Sequence, residues 1–128
     1  MPQVEKDYRA STQRGERAIT GLSMGGSESL LTGLNNLDRF AWIGAFSSGG
    51  LGTNLPVIFP KLDEKANNQL RLLWIGCGEQ DGLLTPNRQL SEWLTTKGIR
   101  HAWVHTPGQH SFRVWRRYLA DFAPLLFR

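Results

Sequence analysis

The sequence predicts an α/β fold, a parallel sheet flanked by helices. Short apolar runs of strand length alternate with stretches whose apolar residues recur every three to four positions, the order that builds a parallel sheet with helices on its faces. The runs stop at turns rich in glycine, serine, proline and carboxylates. At Gly21-Leu22-Ser23-Met24-Gly25 a strand pattern passes directly into a helix pattern.

Residues 2–11 read as a short amphipathic helix, with Pro2 in its first turn and Val4 and Tyr8 on one face. It serves packing rather than chemistry. A polar turn at residues 12–16 leads to a buried strand at 17–22, and after Ser23 the spacing of Leu30, Leu31 and Leu34 predicts a helix. That helix is expected to end near Asn35 and Asn36, which tolerate the left-handed conformation. Residues 40–46 form a continuous apolar run, a strand covered on both faces, and Ser47-Ser48-Gly49-Gly50 forms a loop opening beside Ser23. Residues 51–68 are an excursion with a charged, helix-compatible run from Lys61 to Lys65, placed where it could line a pocket.

Residues 70–77 form a third buried strand, followed by the turn Gly78-Glu79-Gln80-Asp81-Gly82. Thr85 is then expected to cap a helix that has Pro86 at its first position, turns Leu90, Trp93 and Leu94 inward and stops at Gly98. Residues 99–105 alternate as a fourth strand, with His101 and His105 inside it as structural residues. The turn Thr106-Pro107-Gly108-Gln109-His110 precedes a last helix from about Ser111, with Phe112, Trp115, Leu119, Phe122 and Leu126 on its apolar stripe.

The chain has 128 residues, 40% of them hydrophobic, which suits one domain or part of one with a real core. Its lone Cys77 has no partner for an internal disulfide. Residues 1–7 lack the apolar core of a signal peptide, and no run approaches the length of a membrane span. The net charge of +4 is scattered except at Arg113, Arg116 and Arg117, a solvated helix face. Neither nucleic acid nor membrane is expected as a partner.

The chemistry is concentrated in residues that follow strands. A serine at a sharp strand-to-helix turn is lifted clear of the sheet, with small neighbours letting strand and helix approach. Ser23 is the candidate nucleophile, and the Met24 N–H at the helix start is a candidate oxyanion donor. A serine hydroxyl needs an imidazole to take its proton, and the imidazole needs an anion to fix its tautomer. His110 is the candidate base and Asp81 the candidate orienting acid, with Glu79 a competitor and Asp81 favoured because it lies deeper in the loop. Loops after strand carboxyl ends converge in such sheets. No His or Cys pair has metal-ligand spacing, so no metal is expected, and the serine chemistry needs no organic cofactor.

These residues resemble the esterase group of α/β-hydrolases that includes esterase D (S-formylglutathione hydrolase), feruloyl and acetylxylan esterases and enterochelin esterases. The resemblance rests on residues 17–26, on residues 73–78 with Asp81, and on Pro107-Gly108-Gln109-His110-Ser111-Phe112 with Trp115 and Arg116. Gln109 stands where the family often has a second glycine. The resemblance implies that Ser23, Asp81 and His110 form a triad, that the Met24 N–H is one oxyanion donor, and that residues 1–128 are a single, partial domain, the C-terminal half of the α/β-hydrolase fold. It implies a serine carboxylic-ester hydrolase acting on carbohydrate-linked feruloyl or acetyl esters, or on siderophore esters. The alternatives are an acyltransferase on the same triad and a non-catalytic half-domain. With the nucleophile strand left at an edge, the chain is expected to form a homo-oligomer or to associate with a missing N-terminal half.

Overall fold

The computed structural model describes residues 2–128. Four strands, β1 (Ala18–Leu22), β2 (Trp42–Phe46), β3 (Leu72–Gly78) and β4 (Ala102–Thr106), lie side by side in that order, and every neighbouring pair is parallel. The register aligns Leu22 with Phe46, Phe46 with Gly76 and Gly76 with Val104. All four carboxyl ends therefore reach one edge of the sheet.

β2 is buried along its whole length, as a strand covered on both faces must be. Its side chains alternate between two cores. Ile43 and Ala45 meet Leu30 and Leu34 of α2 (Met24–Leu34), Leu90 and Leu94 of α3 (Leu84–Thr96), and Leu73 and Ile75 of β3. On the other face Phe46 and Trp74 pack against Trp115, Tyr118 and Phe122 of α4 (Phe112–Phe122). Phe46 and Trp74 meet edge to face at 5.2 Å, and so do Trp74 and Tyr118. Such pairs contribute about 0.5–1.5 kcal/mol each beyond their buried area.

Several details differ from the sequence-based expectation. The N-terminal helix covers only Pro2–Asp7 and buries none of its residues; Val4 and Tyr8 are exposed, and Glu5 holds the helix to Arg17 at 2.5 Å. Helix α2 does end at Asn35, but in the right-handed region, because side-chain amides finish it: Asn35 Nδ2 donates to the Leu31 carbonyl and Asn36 Nδ2 to that of Thr32. Helix α3 begins one residue before Thr85, with Leu83 rather than Thr85 at its N-cap and no side chain capping it, and the Asp81 carboxylate accepts the Leu83 N–H at 2.9 Å in the turn just before. The buried stripe of α4 is Val114, Trp115, Tyr118 and Phe122, with Phe112 and Leu119 facing water. Tyr118 belongs to the core because its hydroxyl finds Thr106 Oγ1 at 2.9 Å.

Residues 51–68 contain a short helix, Leu55–Ile58, and a 3-10 turn, Glu64–Asn68, started by the Asp63 carboxylate. Of the charged run, Lys61 lies outside that turn. Among the described residues β1 and β4 are the sheet's edges, and β1 is only half-buried.

The contact between β1 and α2 is closest at Gly21, where an added Cβ would lie 2.2 Å from the Gly25 carbonyl oxygen. At Gly25 itself an added Cβ meets nothing within 4 Å. Only the first of the two glycines is needed to avoid a clash. Gly21→Ala should therefore lose about 1–3 kcal/mol in chemical denaturation through overpacking, while Gly25→Ala, inside a helix, should be neutral or stabilising by up to about 1 kcal/mol. Equal losses in both variants would contradict this account of the junction.

Candidate active site

Ser23 stands between β1 and α2 with φ 55° and ψ −124°, in the left-handed half of conformational space that side chains rarely adopt. Its own N–H donates to the Phe46 carbonyl at 2.8 Å, and its carbonyl accepts the Gly49 N–H at 3.1 Å. β2 and the loop after it thus hold the turn that projects the hydroxyl. Met24 is the first residue of α2, where a helical N–H has no carbonyl a turn earlier to donate to. The free N–H ends and the positive end of the helix dipole lie beside the Ser23 hydroxyl.

Ser23 Oγ lies 2.9 Å from His110 Nε2, and His110 Nδ1 lies 2.9 Å from Asp81 Oδ2. The serine and histidine are 87 residues apart in sequence. The Asp81 side chain is 1% exposed and that of His110 37% exposed. An anion fixed in the interior therefore meets an imidazole open to solvent on its other side. With Nδ1–H donating to the carboxylate, Nε2 carries the lone pair that accepts the serine proton.

The loops carrying Asp81 and His110 are laced together. The Gln80 N–H donates to the Gly108 carbonyl at 3.0 Å, and Gln80 Oε1 accepts the Gly108 N–H at 2.6 Å. Gly78 permits this, since a Cβ there would lie 2.2 Å from the Gly108 oxygen. Glu79, the competitor for the acid position, instead pairs with His105 Nδ1 at 3.0 Å. His101 is held by Ser91 Oγ and the Ile99 carbonyl just before β4 begins.

Burial tends to raise the pKa of the Asp81 carboxyl. Hydrogen bonds from the Leu83 N–H, the Ser47 hydroxyl and His110 outweigh it and hold the group below its ordinary value of 3.8. Neighbouring Cys77 goes the other way, raised to about 11 by burial first and by the Asp81 charge second. It is a neutral thiol, not a second nucleophile.

Two residues at the site escaped the sequence reading of chemistry. Ser47, read as part of a loop, is fully buried at φ 49°, and Trp115, read as core, donates its indole N–H to Ser47 Oγ at 3.0 Å and meets the His110 ring edge to face at 4.7 Å. The available signal was that a buried tryptophan needs an acceptor for its N–H.

A family model described as "Putative esterase" matches residues 1–126. The chain belongs to this esterase family. An endo-1,4-beta-xylanase/feruloyl esterase of Xylanibacter ruminicola is 30% identical over 129 aligned residues, covering 100% of this esterase-family chain and 16% of that protein. A ferulic acid esterase from the anaerobic fungus Anaeromyces mucronatus, solved with ferulic acid, superposes with a TM-score of 0.82 at 25% identity, over 99% of this chain and 50% of that one. The S-formylglutathione hydrolase of Staphylococcus aureus superposes with a TM-score of 0.76 at 20% identity, over 97% of this chain and 56% of that one. The chain thus spans about half the length of these two solved relatives and a smaller share of the xylanase/esterase. The fold is the α/β-hydrolase type of these relatives.

The lowered Asp81 pKa sets a sign for stability. A carboxyl lower in the folded than in the unfolded state adds stability that is fully present above its ordinary value of 3.8 and is lost as pH falls through the folded value. Below about pH 4 the melting temperature of the wild type should therefore fall more steeply than that of Asp81→Asn. Parallel curves would show that the carboxyl is not held low.

Proposed function

We propose that this chain carries the reacting residues of a serine carboxylic-ester hydrolase that works through an acyl-enzyme. The observation that carries the reading is the hydrogen-bonded line from Ser23 Oγ through His110 to buried Asp81. Ser23 Oγ attacks the ester carbonyl carbon as His110 Nε2 takes its proton, and the carbonyl oxygen becomes an oxyanion facing the Met24 N–H. The tetrahedral intermediate expels the alkoxide, which takes the proton from His110. Water, deprotonated by the same imidazole, then attacks the acyl-serine, releasing the acid and restoring Ser23. Throughout, Asp81 keeps the imidazole in one tautomer and stabilises its charged form.

For the substrate we favour carbohydrate-linked feruloyl or acetyl esters. The support is the identity with the xylanase/feruloyl esterase and the likeness to the fungal ferulic acid esterase. Beside the loop after β2 a cavity of about 160 Å³, lined by Ser48, Leu51, Leu55, Leu83 and Pro86 among others, offers apolar walls of the kind an acyl group needs.

We also propose that the exposed edge of β1 is covered in the working enzyme, by a second copy of this chain or by strands corresponding to the part of the related esterases that this chain does not match, and that the covering chain brings a second oxyanion donor. The support is the position of β1 at the end of the strand order, where its outer backbone N–H and C=O groups have no neighbouring strand among the described residues. Lacking that donor, turnover by this chain alone should be lower by roughly 10²–10³-fold.

The test is hydrolysis of p-nitrophenyl acetate by size-fractionated protein. Activity should follow an associated species, and Ser23→Ala should reduce it by about 10⁴-fold or to background. Equal rates in wild type and Ser23→Ala would contradict the mechanism, and activity confined to a monodisperse monomer would contradict the proposed edge cover.

A further inference from the structure

Trp115 and Ser47 lie at the meeting point of α4, the β2 loop and the two loops that carry Asp81 and His110. The indole N–H is a donor only, and it uses Ser47 Oγ as its acceptor at 3.0 Å. The Ser47 hydroxyl proton must then point elsewhere. Ser47 is fully buried, so water is not its partner, and its N–H is already committed to the Gly76 carbonyl at 2.7 Å. The bond to Gly76 sets Ser47 beside the end of β3 and the turn that carries Asp81, whose carboxylate is the charged acceptor there; the Cys77 thiol is the weaker one. The same Trp115 ring stands edge to face with His110, at 4.7 Å and 87°, and is backed by Phe112 at 5.2 Å.

We propose that Trp115 and Ser47 are positioning residues: the indole orients the Ser47 hydroxyl toward Asp81 while its ring sets the plane of His110, so that acid and base are aligned by a single side chain. This inference rests on the serine-hydrolase reading of the site for its effect on rate, but the alignment itself is a property of the folded protein. Asp81 would otherwise have two donors, the Leu83 N–H on Oδ1 and His110 on Oδ2. The Ser47 hydroxyl supplies the third and restricts rotation of the carboxylate about its own axis. Ser47 keeps φ 49° at the end of β2, and the backbone there would suit glycine better. The serine occupies a strained position where its hydroxyl has a use.

The experiment compares wild type, Trp115→Phe, Ser47→Ala and Ser47→Gly. Trp115→Phe keeps an aromatic ring beside His110 and removes the N–H, and Ser47→Gly removes the hydroxyl while relieving the backbone, which separates the hydroxyl's effect from misfolding. Two readouts are taken: the rate of Ser23 labelling by a fluorophosphonate, and the carbon-13 titration of the Asp81 carboxyl. Each single variant should label roughly tenfold more slowly, the change expected for one lost hydrogen bond. The Trp115→Phe/Ser47→Ala double variant should be no slower than the slower single one, because both residues act along one line. The Asp81 titration should move to higher pH in all three single variants. Wild-type labelling rates with an unmoved titration in Ser47→Gly and Trp115→Phe would overturn the proposal. Absence of labelling in the wild type would instead overturn the serine-hydrolase reading, and the Asp81 titration would still decide the alignment: an upward shift sustains it and no shift refutes it.

Discussion

The buried Asp81 carboxylate is the interaction on which the site depends. A charge 1% exposed must be surrounded by donors, or it takes up a proton and loses its use. Two donors come from distant places in the chain, the Leu83 N–H just before α3 and the His110 imidazole after β4, and the Ser47 hydroxyl after β2 is the third that we propose. Because Oδ1 closes the turn that leads into α3 while Oδ2 holds the imidazole, one residue fixes both that turn and the tautomer of the candidate base. Folding and chemistry share this carboxylate.

That arrangement is possible only because the sheet is parallel. Every strand delivers its following loop to the same edge, so residues 23, 81 and 110 meet although they are far apart in sequence. Two close backbone approaches bring them into reach. Gly21 lets β1 touch the backbone of α2 below Ser23, and Gly78 lets the end of β3 touch Gly108 in the histidine loop. A methyl group at either place would separate elements that carry reacting atoms.

The strands and helices were legible because their apolar periods are strong: the whole of β2 is buried, as its uninterrupted run required, and Leu90 and Leu94 face inward from α3. Ser23, Asp81 and His110 could be singled out because each follows a strand and because their residue types suit one reaction. Other features were hidden by context. Nothing local distinguishes Leu119, exposed on α4, from Leu94, buried on α3; which face a helix buries is decided by the sheet beneath it. Tyr118 and Ser47 are polar residues made internal by partners distant in sequence, Thr106 and Trp115. Glu79 and Asp81 were separable only by position in a loop, and the structure divides them by giving Glu79 its own histidine.

The central claim is that His110 and Asp81 activate Ser23 for acyl transfer. The most direct measurement is mass spectrometry of protein quenched in acid during turnover of p-nitrophenyl acetate, with peptides mapped for acetyl groups. The account predicts acetyl on the Ser23 peptide of the wild type and none there in His110→Ala. Acetyl spread over lysines, or equal acetylation of Ser23 in both proteins, would contradict it.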